Sequence, residues 1–125
     1  MMMEQIQRFK KFINDGLYYE AHEALEELWF PIRKEKNEYS FLLKGFINGA
    51  VSLELLKRNK IEQSKKIYLV YKKYVTLKRI DKVKNEIGFI ELKVFMDDYI
   101  QQRFDAKNNQ NSQISKFKLI QRKNP

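Results

Sequence analysis

Apolar residues recur at helical spacing along most of the chain, and this pattern predicts five helices. Polar or turn-forming stretches separate them. The predicted helices are Glu4–Asn14, a second carrying residues 18–29 and ending near Trp29, Glu38–Arg58, Ile61–Leu77 and Glu86–Phe104. No run of residues alternates between apolar and polar in the way typical of a strand. The pattern therefore predicts an all-α protein.

The third predicted helix differs from the others because apolar residues occupy most of its sides. Between residues 41 and 56 little polar surface remains, and a helix apolar on most sides is surrounded by other helices. Small residues (Gly45, Gly49, Ala50 and Ser52) let neighbouring backbones approach it closely. We therefore expect a single compact bundle of about five helices around this buried central helix.

Three local signals set helix ends. Gly16 follows Asp15 and predicts the end of the first helix, since glycine readily adopts the left-handed capping conformation. Pro31 disfavours helical geometry at Phe30 and so ends the second helix. Asn37 is a favourable N-cap for the third.

Composition narrows the class of protein. The chain has 125 residues, 43% of them hydrophobic, which fits one globular domain. It has no cysteine, so disulfides and thiol nucleophiles are excluded. No apolar run suits a signal peptide or a membrane span. We expect a cytoplasmic protein without a membrane partner. The residues indicate no cofactor, and a homo-oligomer is an open alternative.

The net charge of +9 is unevenly distributed. Residues 61–84 carry eight basic and two acidic side chains, and residues 105–125 carry five and one. The helical domain is predicted to end at residue 104, and residues 105–125 are predicted to be a polar, basic tail that is mobile or docks on a partner.

A basic face is predicted on the fourth helix and just beyond it, interleaved with Tyr68, Tyr71 and Tyr74. It comprises Lys65, Lys66, Lys72, Lys73, Lys78 and Arg79. One interpretation is an ordinary solvent-exposed surface of lysines, because the three tyrosines have the spacing of buried core residues and would not be available to a ligand. The alternative is sequence-independent nucleic-acid binding by this face. The tail residues Lys116, Lys118, Arg122 and Lys123 then contribute to the same binding surface. No known nucleic-acid-binding motif supports this alternative.

The second helix carries the only histidine and the only tryptophan of the chain. His22 and Glu26 are four residues apart and therefore neighbours on the helix surface. They lie at the edge of a buried stripe that includes Trp29, whereas Glu23 faces away.

Three interpretations of this edge remain open. His22 and Glu26 hydrogen-bond to each other or to the central helix in a structural role. Alternatively they line a ligand or metal pocket with a polar residue of the central helix. In the third interpretation they are catalytic, with the carboxylate tuning a histidine base. The zinc-protease pattern is excluded, because it requires a second histidine at the position of Glu26.

Two blocks of the sequence resemble the family catalogued as domain of unknown function 309, short bacterial and archaeal helical proteins. The first block is Phe12-x-x-x-Gly16-x-Tyr18-Tyr19-Glu20-Ala21-His22-Glu23-x-Leu25-Glu26-x-x-Trp29, and the second runs from Phe41 to Leu55. The family-like core covers about residues 12–74, and the resemblance implies a multihelical fold without implying a reaction.

The second block departs from the family pattern at two of its positions, and after it Asn59-Lys60 stands where the family has a Gly-Asn turn. Asn48 replaces a glutamine, and Leu55 stands where the family has a histidine. This departure argues against a metal enzyme in this chain. Any site must then depend on His22, Glu23, Glu26, Trp29 and Asn48.

These residues favour a binding or scaffold module with a small polar pocket around His22 and Glu26. The pocket is expected where the second helix meets the central helix. The alternatives are a metal- or histidine-dependent hydrolase at the same pocket, and nucleic-acid binding through the basic face.

Overall fold

The computed structural model of the chain describes residues 2–84 and 88–123, with side chains up to residue 110. Most of these residues lie in helices. The α-helices are α1 Met2–Asn14, α2 Tyr18–Trp29, α3 Glu38–Lys57, α4 Ile61–Tyr74, α5 Leu77–Lys82 and α6 Phe89–Lys123. A 3-10 turn, Phe30–Ile32, follows α2. These residues contain no strand. The predicted all-α bundle is confirmed, with five longer helices and the short α5.

Helix α3 lies at the centre of the bundle, as predicted, and packs against α2, α4, α5 and α6. Phe46 and Ala50 are completely buried, and Ile47 is nearly so. Val51 is only partly buried. The core that surrounds α3 also includes Phe9, Leu25, Tyr71, Phe89 and Met96. Burial of apolar surface from several helices against one helix is the main stabilising contribution to this fold.

A glycine allows α4 to approach α3 closely. A Cβ atom added at Gly45 would lie 2.5 Å from Val75 Cγ2 and 2.9 Å from Tyr74 Cβ. At Gly49 the nearest atom to an added Cβ would be the flexible end of Met96, at 3.0 Å. The contact at Gly45 is therefore the more restrictive, because it involves atoms next to the backbone of the neighbouring segment.

The helix ends predicted from Gly16, Pro31 and Asn37 are observed. Gly16 has a φ of 73° directly after α1, and α2 ends at Trp29 before the turn that contains Pro31. The side chain of Asn37 accepts a hydrogen bond of 2.9 Å from the backbone N–H of Ser40 and so caps α3.

The prediction for the fourth helix was wrong at its end. Helix α4 stops at Tyr74 instead of Leu77, and α5 occupies part of the segment predicted to be a polar connection. Thr76 is extended and its hydroxyl accepts a hydrogen bond from the backbone N–H of Arg79, which starts a new helix. Ile80 of α5 is completely buried, so tertiary packing stabilises this short helix.

The last helix also differs from its predicted bounds. It begins at Phe89 after Gly88, which has a φ of 71°, and it continues to Lys123 instead of ending at Phe104. Residues 105–124 contain neither glycine nor proline, so the sequence has no strong signal that ends the helix. That residues 105–125 are mobile or dock on a partner stays a prediction, because the side chains beyond residue 110 lie outside the described residues.

None of the helices in the described ranges is long and apolar enough to cross a membrane.

Candidate functional site

The polar edge of α2 is formed by His22, Glu26 and Trp29, three of the residues predicted to form the site. We call these three residues the motif edge. The helix is amphipathic, and its buried face consists of Tyr18, Ala21, Ala24 and Leu25. His22, Glu26 and Trp29 are each partly buried at the border of this face, while Glu23 is exposed. The structure thus separates Glu23 from the other predicted residues of α2.

His22 and Glu26 are in close polar contact. The distance between His22 Nε2 and Glu26 Oε1 is 2.8 Å, and the two side chains are 23% and 44% exposed. Because a carboxylate only accepts hydrogen bonds, Nε2 carries the proton in this contact. A neutral ring with its proton on Nε2 presents Nδ1 as an acceptor.

Two ring nitrogens of the motif edge are buried without a hydrogen-bond partner among the described residues. They are His22 Nδ1 and Trp29 Nε1. A buried polar atom without a partner costs about 1–3 kcal/mol, so such atoms are rare and call for an explanation. Both nitrogens belong to side chains on the same side of α2.

An aromatic ring next to the histidine adds an apolar surface. The rings of Tyr19 and His22 are tilted with their centroids 6.0 Å apart, and Tyr19 is 58% exposed. The sequence interpretation did not single out Tyr19. Its position three residues before His22, on a neighbouring part of the same helix surface, is the signal that identifies it.

The hydrogen bond that Asn48 makes among the described residues lies within α3. Its side-chain amide donates a hydrogen bond of 2.8 Å to the carbonyl oxygen of Lys44 in its own helix. Glu54, another polar side chain of α3, bonds to Arg58 at 3.0 Å. The role of Asn48 in a pocket stays a prediction.

A metal centre or a hydrolytic site would need further groups beside His22 and Glu26. Among the side chains that the structure describes, no group of three or more His, Cys, Asp and Glu residues is positioned to hold a metal ion. The motif edge thus offers one imidazole, one carboxylate and one indole N–H. Those groups suit recognition by hydrogen bonding.

Five of the six residues predicted to form the basic face, Lys65, Lys66, Lys72, Lys73 and Lys78, are exposed. Arg79 is partly buried. It bonds to Glu38 of α3 at 2.9 Å, and its guanidinium lies 4.8 Å from the centroid of the Phe41 ring. Arg79 therefore attaches α5 to the start of α3, and its Nε is buried without a partner among the described residues.

The tyrosine rings of α4 pack against other side chains of the protein. Tyr71 is buried and stacks on Tyr68, while Tyr74 stacks on Phe41. Lys72 lies 5.6 Å from the Tyr68 ring centroid and Lys73 lies 5.5 Å from that of Tyr74. These rings offer little free face for base stacking. The basic tail residues Lys116, Lys118, Arg122 and Lys123 have side chains outside the described part of the chain.

Two polar contacts of α6 were missed by sequence interpretation. The Tyr71 hydroxyl donates a hydrogen bond of 2.7 Å to Asp97, which also binds Lys93 at 2.6 Å. Tyr18 and Tyr99 share a hydroxyl–hydroxyl bond of 2.9 Å. Burial and these hydrogen bonds raise the pKa of both Tyr71 and Tyr18. The pairs are separated by 26 and 81 positions, so no local spacing rule relates them.

A comparison with known families matches the part of the chain that contains the motif edge. The model of a family described as Domain of unknown function (DUF309) matches residues 6–67, about half of the chain. The chain resembles the DUF309 family. The resemblance predicted from the two sequence blocks is thereby confirmed. The DUF309 segment spans most of α1, all of α2 and α3 and part of α4, so it contains the motif edge and Asn48.

Helix α6, which packs against the DUF309 segment, lies outside it. No curated protein and no solved structure matches the chain.

Proposed function

We propose that the chain is a binding module and that its ligand site is the motif edge of α2. The observation that carries this proposal is the pair of buried ring nitrogens, His22 Nδ1 and Trp29 Nε1, that have no partner among the described residues. Both belong to side chains on one face of a helix, with Glu26 between them. A ligand that bonds to both would offset the cost of burying them.

The geometry favours a small polar ligand that both donates and accepts hydrogen bonds. His22 and Trp29 are seven residues apart, so their Cα atoms are separated by about 10 Å along the helix axis. A ligand with two separate polar groups donates to His22 Nδ1 through one and accepts from the indole N–H through the other. Tyr19 provides an exposed aromatic surface beside the histidine for the apolar part of such a ligand.

The close contact between His22 and Glu26 supports binding because it restricts the imidazole before a ligand arrives. A side chain that is already ordered loses less conformational entropy on binding, so affinity increases without a new contact. Hydrolysis requires in addition a nucleophile or an activated water at the ring. The described residues place only Glu26 within hydrogen-bonding distance of His22, and a binding role needs no further group.

Fluorescence of Trp29 provides a specific test, since it is the only tryptophan of the chain. We would titrate the protein with a panel of free amino acids, nucleosides and monosaccharides and follow the emission of the indole. At least one compound is expected to produce a saturable change in wild type. The matched control is Glu23→Gln, which alters an exposed carboxylate of the same helix and should retain binding.

His22→Ala is expected to remove the saturable change, and Glu26→Gln to weaken binding because the imidazole is held less firmly. The absence of a saturable signal from the whole panel would contradict the proposal. The same conclusion would follow if His22→Ala bound the compound as tightly as wild type.

A further inference from the structure

A second candidate site lies away from the motif edge, in a groove between the C-terminal half of α3 and the helix α6. We call it the α3–α6 groove. Its volume is about 540 Å³, within the range of sites that hold small molecules. Gly16, Tyr18 and the end of α3 form one wall, and residues 103–110 of α6 form the other. The groove therefore combines the DUF309 segment with a helix outside it.

The floor of the groove is apolar. Leu53 and Leu56 line it and are almost completely buried, as is Tyr18. The Tyr18 hydroxyl is already bonded to Tyr99, so it contributes its ring to the groove. A ligand that covers this floor needs a hydrocarbon or other apolar portion.

The charged side chains of the groove are all positive. Lys57, Arg103 and Lys107 line it, and its described lining contains no carboxylate. Lys57 donates a hydrogen bond of 3.0 Å to the carbonyl oxygen of Gly16, and Arg103 lies 5.6 Å from the centroid of the Tyr99 ring. None of the three forms an ion pair with a described residue. Three cations around one groove repel each other, and an anion among them relieves this repulsion.

We propose that the α3–α6 groove binds a small amphipathic carboxylate. Its carboxylate lies among Lys57, Arg103 and Lys107, and its hydrocarbon portion lies against the apolar lining that Leu53, Leu56 and Ala106 provide. The guanidinium of Arg103 offers two parallel N–H donors that match the two oxygens of a carboxylate. The apolar floor distinguishes this site from a surface that attracts anions through charge alone.

Isothermal titration calorimetry with sodium decanoate, kept below the concentration at which it forms micelles, tests the proposal. Decanoate is expected to bind the full-length protein saturably at one site. Acetate, which has the head group without the chain, should bind at least about tenfold more weakly, and so should the uncharged decanol. Equal affinity for acetate and decanoate would overturn the proposal, as would the absence of saturable binding.

Two charge variants locate the site. Lys57→Gln combined with Arg103→Gln should weaken decanoate binding about tenfold or more, because two charge-assisted contacts are lost. The matched control, Lys65→Gln with Lys66→Gln, lowers the net charge by the same amount on exposed residues of α4 and should leave the affinity unchanged. Equal weakening by both pairs would contradict a specific site. Circular dichroism of each variant verifies that the fold is retained.

Trp29 fluorescence separates this site from the motif edge. Tyr18 and Trp29 lie at opposite ends of α2, about 16 Å apart along its axis. Decanoate in the α3–α6 groove should therefore leave the Trp29 emission unchanged. A saturable Trp29 response to decanoate that is lost in His22→Ala would place the ligand at the motif edge and overturn the assignment to the groove.

Discussion

At the scale of single residues, one atom determines the packing or the hydrogen bonding at a few positions. Gly45 is such a position, because the side chains of Tyr74 and Val75 occupy the space of its missing Cβ. His22 is another, because one ring nitrogen binds Glu26 and the other is buried without a described partner. The first position serves packing, and the second is the basis of the proposed site.

Gly45→Ala is expected to destabilise the protein by about 1–3 kcal/mol, since the added methyl group overpacks the contact between α3 and Val75. Gly49→Ala should cost less, because the flexible end of Met96 is able to move away. Urea unfolding followed by circular dichroism measures both free energies of unfolding. Equal stability of Gly45→Ala and wild type would show that the two helices separate without cost.

At the scale of helices, polar contacts fix where the helices begin and how they attach to one another. Asn37 caps α3, and Thr76 caps α5. Glu38 in the first turn of α3 binds Arg79 of α5, and Asp97 of α6 accepts the hydroxyl of Tyr71 in α4. These contacts explain why α5 and α6 hold their positions on a core that the DUF309 segment supplies in large part.

Asn37→Ala should lower the free energy of unfolding by about 1 kcal/mol, because the backbone N–H of Ser40 loses its capping acceptor. Asn14→Ala, at the exposed last position of α1, is the matched control and should have a smaller effect. Unfolding in urea provides the comparison. A larger loss in the control than in Asn37→Ala would contradict the capping role.

The stability of the helix contacts should also depend on alkaline pH. The pKa values of Tyr18 and Tyr71 are higher in the folded protein than the value near 10 of an unfolded chain. Their contribution to stability is complete below about pH 10 and is lost as the pH rises above that value, because only the unfolded state then releases the phenolic protons.

Unfolding free energies measured between neutral pH and about pH 11 test this dependence. Tyr71→Phe should be less stable than wild type at neutral pH by about 0.5–1.5 kcal/mol and should lose less stability as the pH rises. Tyr19→Phe, which changes an exposed tyrosine, should follow the wild-type curve. A Tyr71→Phe curve as steep as that of wild type would refute the assignment.

At the scale of the whole molecule, two candidate binding surfaces and one basic face surround a single core. The motif edge lies entirely within the DUF309 segment, whereas the α3–α6 groove needs α6 as well. The lysines of the basic face lie on α4 and α5, next to tyrosine rings that already pack within the protein.

For the basic face we expect no complex with single-stranded RNA or DNA in a gel shift at micromolar protein and about 150 mM salt, since charge alone binds weakly at that ionic strength. A complex that forms at this salt concentration would contradict the expectation, provided that it depends on the basic face. Changing Lys65, Lys66, Lys72 and Lys73 to glutamate tests that dependence, because the complex should then be lost. His22→Ala serves as the control that leaves this surface unchanged.

Local signals explain which parts of the structure the sequence predicts. Gly16, Pro31 and Asn37 act on their own neighbours, so the ends of α1 and α2 and the start of α3 were predicted correctly. The i,i+4 rule likewise placed His22 beside Glu26. Helix α5 was missed because it depends on the burial of Ile80, and the end of α6 was misplaced because no glycine or proline marks it. The Tyr71–Asp97 contact joins distant residues, which no periodic pattern reveals.

The central claim, that the motif edge is a ligand site, is tested most directly by the indole N–H resonance of Trp29 in a ¹H–¹⁵N correlation spectrum. The single tryptophan gives a single indole signal. Titration with the compound selected from the panel should shift this signal saturably in wild type and in Glu23→Gln, and should not shift it in His22→Ala. An indole signal that stays in place in wild type while the compound binds would contradict the account.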